Sequence, residues 1–174
     1  MRSAEAPRGS VSADLTRPVA VELRPQQDDD IVFLAALFAA LSSPDLRAAG
    51  LPSHAVDHLV AMQFHSQGES YRAQFPDARR FILESRGQPV GRVVVDQEVS
   101  DLYVVDIAVS PEKQGRGIGG AAVAELQREA EATGLGVRAL VSPHNSRSMA
   151  MFRRRGFSAT GRMIGPSLDL RWSA

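Results

Sequence analysis

The run Asp101-Leu-Tyr-Val-Val-Asp-Ile-Ala-Val109, then Ser110-Pro-Glu-Lys-Gln-Gly-Arg-Gly-Ile-Gly-Gly120, then Ala121 to Thr133, decides the fold. Its first nine residues are largely apolar and β-branched, as in a central strand. Four glycines follow, and Ala121, Ala122, Val123, Leu126 and Ala130 then mark one side of a helix from Gly117 to Thr133. First-turn N–H groups of a helix have no intrahelical partner. Beside exposed glycine backbone they point where an anion can sit, and Arg116 adds positive charge. The turn therefore reads as a phosphate site, with a purely structural strand-to-helix turn as the other reading.

Downstream, Val137 to Val141 is a strand that completes a βαβ unit and favours parallel pairing. Upstream, Arg80 to Glu84 and Pro89 to Asp96 flank the turn Ser85-Arg-Gly-Gln88 and read as a hairpin. Val19 to Arg24 alternates as a first strand, and Asp28 to Asp30 can cap a helix from Ile31 to about Leu41. Ser42-Ser-Pro-Asp45 is expected to break that helix. Another starts at Pro52-Ser53 and runs to about Gln67, while Tyr71 to Arg79 has no clear assignment. Asn145 to Arg155 reads as a short helix stopped by Gly156. Phe157 to Arg162 and Leu168 to Trp172 read as closing strands. The expected class is α/β: a mixed sheet of about seven strands with helices on both faces. Residues 19–174 form one domain, and residues 1–18 a flexible lead-in.

The chain has 174 residues, enough for a single domain with a sizeable core. Lys+Arg and Asp+Glu both number 20, so the formal net charge is zero and nothing suggests bulk attraction to nucleic acid or a membrane surface. With no cysteine, disulfides, thiolate nucleophiles and cysteine metal sites are excluded. No uninterrupted apolar run approaches the roughly 18 residues of a spanning helix. Met1 to Pro18 lacks the apolar stretch of a signal peptide, so a cytoplasmic protein is expected.

Gly115-Arg-Gly117-Ile-Gly-Gly120 satisfies the G-x-G-x-x-G spacing of dinucleotide turns. Such a site wants an acid about 20 positions on, at the end of the next strand. Here that strand ends Leu140-Val-Ser142-Pro143, and too little chain follows for a second nucleotide-binding half. A nucleoside triphosphate loop fails too, because no Gly-Lys-Ser/Thr follows the glycines. Gln114-Gly-Arg-Gly-Ile-Gly119, after a strand ending Ile107-Ala-Val-Ser-Pro111, instead resembles the acyl-CoA signature of the GNAT N-acetyltransferase superfamily. So does Asn145-Ser-Arg-Ser-Met-Ala-Met-Phe152-Arg-Arg-Arg-Gly156-Phe157, with the spacing of that family's second signature. The resemblance covers most of the chain from Val19 onward and is nearest a bacterial-type group.

The resemblance implies acetyl-CoA as donor and a small-molecule or peptide primary amine as acceptor; no metal is expected, because no set of ligands is found for one. It implies that Gln114, Gly115, Arg116, Gly117, Ile118 and Gly119 wrap the CoA pyrophosphate, with Gly120 next to them in the cofactor site and the Arg116 side chain either a phosphate contact or solvated. Backbone groups of Ile107, Ala108 and Val109 would pair with the pantetheine arm, and Asn145 would hold the pantetheine or its neighbourhood. The family commonly has a tyrosine, as general acid to the CoA sulfur, at the position of Phe152, which has no proton to give. The thiolate, with a thiol pKa of about 8.5, can leave with solvent protonation, or Tyr103 or Ser148 can substitute. A CoA-binding module with weak or lost catalysis is the alternative reading.

Asp106 is the candidate catalytic base or amine-orienting group, since it interrupts an otherwise apolar strand beside the expected thioester. A carboxylate that merely accepts hydrogen bonds from a nearby loop is the other reading. Glu98 and Asp101, nearer the strand start, are expected to face solvent. Gln63, Phe64, Gln67 and Tyr71 are the candidate acceptor wall, the two glutamines lying four apart on a helix face. His54 and His58 share a face, but no third ligand for a metal accompanies them. Arg153, Arg154 and Arg155 either attract CoA phosphates or favour the C-terminal dipole of their helix. The chain is compatible with a homodimer.

Overall fold

The computed structural model describes residues 20–173, so the expected lead-in lies outside the described residues. Seven strands form one mixed sheet in the order β1-β2-β3-β4-β5-β7-β6. They are β1 (Glu22–Pro25), β2 (Arg79–Ser85), β3 (Gln88–Gln97), β4 (Asp101–Val109), β5 (Gly136–Val141), β6 (Ser158–Ile164) and β7 (Ser167–Trp172). Only β4 and β5 pair in parallel. The helices are α1 (Ile31–Ala48), α2 (Ser53–Gln74), α3 (Ile118–Thr133) and α4 (Ser146–Arg154).

Strand alternation separates two cores. Val93, Val95, Leu102 and Val104 pack with Ala122, Val123 and Leu126 of α3 and with Phe152 and Phe157 around α4. Ile82 and Val94 alternate with these residues and face the other way, where α1 crosses β3. Arg92, Asp106 and Ala108 share that second face, because Arg92 pairs with Ala108 and Val94 with Asp106. Gly91 lets β3 approach β4 closely: a Cβ there would overlap the Ala108 carbonyl oxygen.

Several local expectations change. α1 runs through Pro44. The proline sits in the last turns, costs one backbone bond, and the tail beyond it is held by Ala49 N–H to the Asp45 carbonyl at 3.1 Å. The acids before α1 do not cap that helix by side chain. The Asp30 carboxylate instead takes Arg24 Nη1 at 3.0 Å and the Gln27 N–H at 2.7 Å, and its bond from Arg24 holds it below the ordinary carboxylate value. α2 continues past Gly68 to Gln74, because Gln67, Tyr71 and Phe75 dock on the sheet. The segment Asp28–Ala48 is by length and composition apolar enough to cross a membrane, which the count of uninterrupted runs missed. Its Leu34 and Leu37 are buried.

Asp101 does not face solvent. It is buried, accepting from Ser100 Oγ at 2.8 Å and from Arg171 Nε at 2.7 Å. Glu98 is half-buried and binds Arg138, whose Nε also donates to Asp169 at 2.8 Å. This network ties β4, β5 and β7 together at the end of the sheet away from the glycine turn.

Candidate active site

β4 and β5 begin as neighbours and then part. Their pairing runs from Asp101–Gly136 to Val104–Ala139, although β4 continues to Val109 and β5 to Val141. At the parting point β4 carries a bulge: Val104 opposes Val95 and Asp106 opposes Val94, leaving Val105 extra. A bulge bends and twists its strand. Here it steers the last five residues of β4 away from β5, which stays paired with β7 along its other edge from Val137 to Val141. The β5-facing backbone of Val105 to Val109 is an open edge inside the sheet.

The glycine turn begins where that edge ends. Ser110 N–H donates to the Val90 carbonyl at 2.9 Å, and Gln114 Nε2 donates to the Val109 carbonyl at 2.9 Å, so the turn is folded back on β4. Gly115 and Gly117 have φ of +76° and +83°, a left-handed conformation that other residues adopt only with strain. Gly117 is the N-cap of α3, with no side-chain cap on the first-turn N–H groups. A Cβ on Gly119 would lie 3.0 Å from Met151 Sδ, so the missing side chain lets α3 start against α4.

These elements surround a cleft of roughly 250 Å3. Ile107 and Val109 form its β4 wall, and Gln114, Gly115, Gly117, Ile118, Gly119 and Gly120 its turn. α4 adds Arg147, Ser148, Met151, Arg154 and Arg155, and Lys113 closes the rim. Four basic side chains and a helix N-terminus thus converge on one apolar-floored opening, which suits a polyanion with an apolar arm. Buried Gln127 fixes the arrangement by donating to the Arg155 carbonyl at 2.8 Å and accepting from Arg155 Nε at 3.2 Å.

Most expected donor residues therefore meet here, and three do not. Ala108 belongs to the open backbone edge although its side chain lies on the opposite face of β4, and Arg116 is exposed outside the cleft. Asn145 is the N-cap of α4, its Oδ1 accepting from the Ser148 N–H at 3.0 Å. Phe152 is buried and packs edge-on against Phe157 with centroids 4.9 Å apart. Its neighbour Met151 reaches the cleft instead. Lys113, Arg147 and Met151 were missed as site residues. The basic ones have no signal in sequence beyond their nearness to the two motifs.

Asp106 lies on the α2 face, diagonal to Arg92 across the strand pair. Arg92 Nε donates to Asp106 Oδ2 at 2.7 Å, and Arg92 Nη2 to Gln67 Oε1 at 2.6 Å. The guanidinium lies 5.9 Å from the centre of the Tyr71 ring. Burial, then the Asp106 charge, raises the Tyr71 phenol above its ordinary pKa, so it keeps its proton at neutral pH. Gln67 and Tyr71 thus join Asp106 through Arg92, which sequence reading did not single out. Gln63 lines the adjacent groove, whereas Phe64 packs on Phe38 at 5.7 Å. Tyr103 stacks on Phe75 at the other end of β4, so of the two hydroxyls considered only Ser148 lines the cleft. No group of three metal-binding side chains converges among the described residues.

The sequence pattern of the Acetyltransferase (GNAT) family matches residues 52–157, well over half the chain. The chain belongs to that family. This GNAT protein also shares its fold with solved structures. The PaiA N-acetyltransferase of Thermoplasma acidophilum, solved with coenzyme A, aligns with a TM-score of 0.66 and 16% identity, over 89% of this chain and 99% of that one. An acetyltransferase from Thermus thermophilus aligns with a TM-score of 0.60 and 24% identity, over 88% and 96%. No curated protein compared with the chain matches it. Membership in the GNAT family supports acetyl transfer from acetyl-CoA as the general chemistry of the site.

Proposed function

We propose that this GNAT protein transfers an acetyl group from acetyl-CoA to a primary amine by direct attack in a ternary complex. The open edge of β4 carries the reading, because it ends at the basic, glycine-framed cleft. A pantetheine arm takes the place beside Val105 to Val109 that β5 vacates. The pyrophosphate lies against the first turn of α3, within reach of Lys113, Arg147, Arg154 and Arg155. Asn145 and Phe152 act from behind, capping and anchoring the helix that presents Ser148 and Met151.

The amine nitrogen attacks the thioester carbonyl carbon, a C–N bond forms, and the C–S bond breaks. A backbone N–H of the open edge polarises the carbonyl oxygen. The proton lost from nitrogen goes to Asp106 Oδ1 or to water, and the departing thiolate is protonated by solvent. The bonding of Asp106 supports this role, since only its Oδ2 is bonded among the described residues and Oδ1 is left for the acceptor. Arg92 keeps that carboxylate aimed along the strand face, which suits orienting an ammonium as much as taking its proton.

One observation favours a second reading, a CoA-binding module with weak or lost catalysis: Phe152 is a buried ring without a hydroxyl. Calorimetry with acetyl-CoA, followed by CoA release with a set of amines, separates the two. Binding with release supports the transferase, and binding with no release supports the module. Absence of binding sinks both. Acetyl-CoA should also raise the melting temperature by linkage, and nicotinamide cofactors should not.

A further inference from the structure

The acceptor side has a charge pattern of its own. Along α2, Leu59, Met62, Gln63, Ser66, Gln67 and Ser70 recur three and four apart and share one face that leads to Tyr71. With Phe38 of α1 they line a groove of roughly 570 Å3, and none of these side chains carries a charge. Met62, Gln63 and Ser66 are exposed, so the face is not core. Exposed helix faces ordinarily collect the charged residues. On α2 these sit off the groove: the exposed His65–Glu69 pair at 3.2 Å, and Asp57, His58 and Arg72.

The groove leads to the Gln67–Arg92–Asp106 chain through Gln67 itself. Asp106, proposed above to meet the acceptor's ammonium, already shares its charge with Arg92, and the pair is neutral in sum. A first ammonium can bind Asp106 Oδ1. A second one, carried further along the acceptor, would meet amides, hydroxyls and apolar surface, with Arg92 bonded to Gln67 at the end of the groove. Among the side chains lining the groove it would find no anion to pair with.

We infer that the acceptor is a monoamine with an uncharged, partly apolar body and a hydrogen-bonding group for the amides and hydroxyls of α2, and that polycationic amines are poor acceptors. The inference rests on the transferase reading above and specifies its substrate class.

The test uses the full chain with acetyl-CoA and four probes: tyramine and leucinamide as uncharged-body monoamines, spermidine and kanamycin as polycations. The expected kcat/KM for at least one monoamine exceeds that for both polycations by about tenfold or more. Gln63→Glu places an acid on the exposed groove face and should raise the spermidine-to-tyramine ratio by about fivefold, less at high salt. Ser66→Glu should act in the same direction. A polycation turned over as well as the monoamines, or a ratio that neither variant moves, overturns the inference. Acetyl-CoA binding with no turnover of any probe overturns it too. Failure to bind acetyl-CoA at all overturns the transferase reading itself.

Discussion

The two faces of β4 solve different problems with different materials. On the α3 side the cleft is framed by backbone, with an unpaired strand edge, glycines at positive φ and uncapped N–H groups at a helix start, and basic side chains stand around it. On the α2 side the site is side chains drawn from three elements far apart in sequence, with Gln67, Arg92 and Asp106 joined by bonds of 2.6 and 2.7 Å. A backbone site tolerates change in its side chains and recognises what many substrates share, such as a pyrophosphate. A side-chain site can be rebuilt by single substitutions and recognises what differs. The bulge at Val105 lets one strand serve both, because it frees the edge of β4 while Asp106 stays facing α2.

The contrast breaks most visibly at Gly117. Its φ is +83°, and nothing lies within 4 Å of where a Cβ would point. Crowding inside the protein is therefore not the obstacle; conformation is. Holding a non-glycine residue left-handed costs about 1–2 kcal/mol, more for a β-branched one. Gly117→Val should fold with a modestly lower melting temperature and bind acetyl-CoA on the order of 30-fold more weakly. Calorimetry on the folded variant is the measurement. Binding equal to the parent would mean that the turn is only a connector and the donor face has been misread.

The same division explains what could be read from sequence. Glycine spacing, helix start and strand hydrophobicity are local, so the β4–α3 unit was legible residue by residue. The second signature was legible as a helix, yet Phe152 points to Phe157 in the core and Met151 to the cleft, a difference of one position around a helix that spacing alone does not settle. Asp106 was visible as a charge in an apolar strand. Its partner was not, because Arg92 meets it only through the register of β3 on β4, which no local pattern encodes. Asp101 was misplaced for the same reason: Arg171, its partner, comes from the last strand of the chain. The extension of α2 past Gly68 likewise depends on docking to the sheet rather than on propensity.

Asp106→Asn sharpens the comparison from the other face. The side chain keeps its shape and loses its charge, and Arg92 loses its anionic partner. Turnover should fall about tenfold near neutral pH if the carboxylate orients the amine or takes its proton. Acetyl-CoA affinity should stay within about twofold, because Asp106 faces away from Ile107 and the cleft. The deficit should narrow as pH rises, since a larger fraction of the acceptor is then already neutral. Separate measurements of donor affinity and of the kcat pH profile test both halves. A parallel loss of donor binding would show that the two faces are not independent. Unchanged turnover at every pH would leave Asp106 as the structural partner of Arg92.

Phe152→Tyr should do least to turnover, and it probes whether the boundary between the faces is as sharp as the packing suggests. The ring is 2% exposed and sits edge-on to Phe157. A hydroxyl added there either stays in the core without a partner, at a cost of about 1–3 kcal/mol in stability, or turns towards the cleft beside Met151. In the first case the melting temperature drops while kcat stays within about twofold of the parent, as expected if solvent protonates the departing thiolate. In the second case the new phenol gains access to the sulfur and supplies the proton that the natural residue lacks. A large rise in kcat with an unchanged melting temperature would then favour the weak-catalysis reading of the natural protein. Thermal melting and CoA release on the same preparation distinguish the two, because one outcome moves stability alone and the other moves turnover alone.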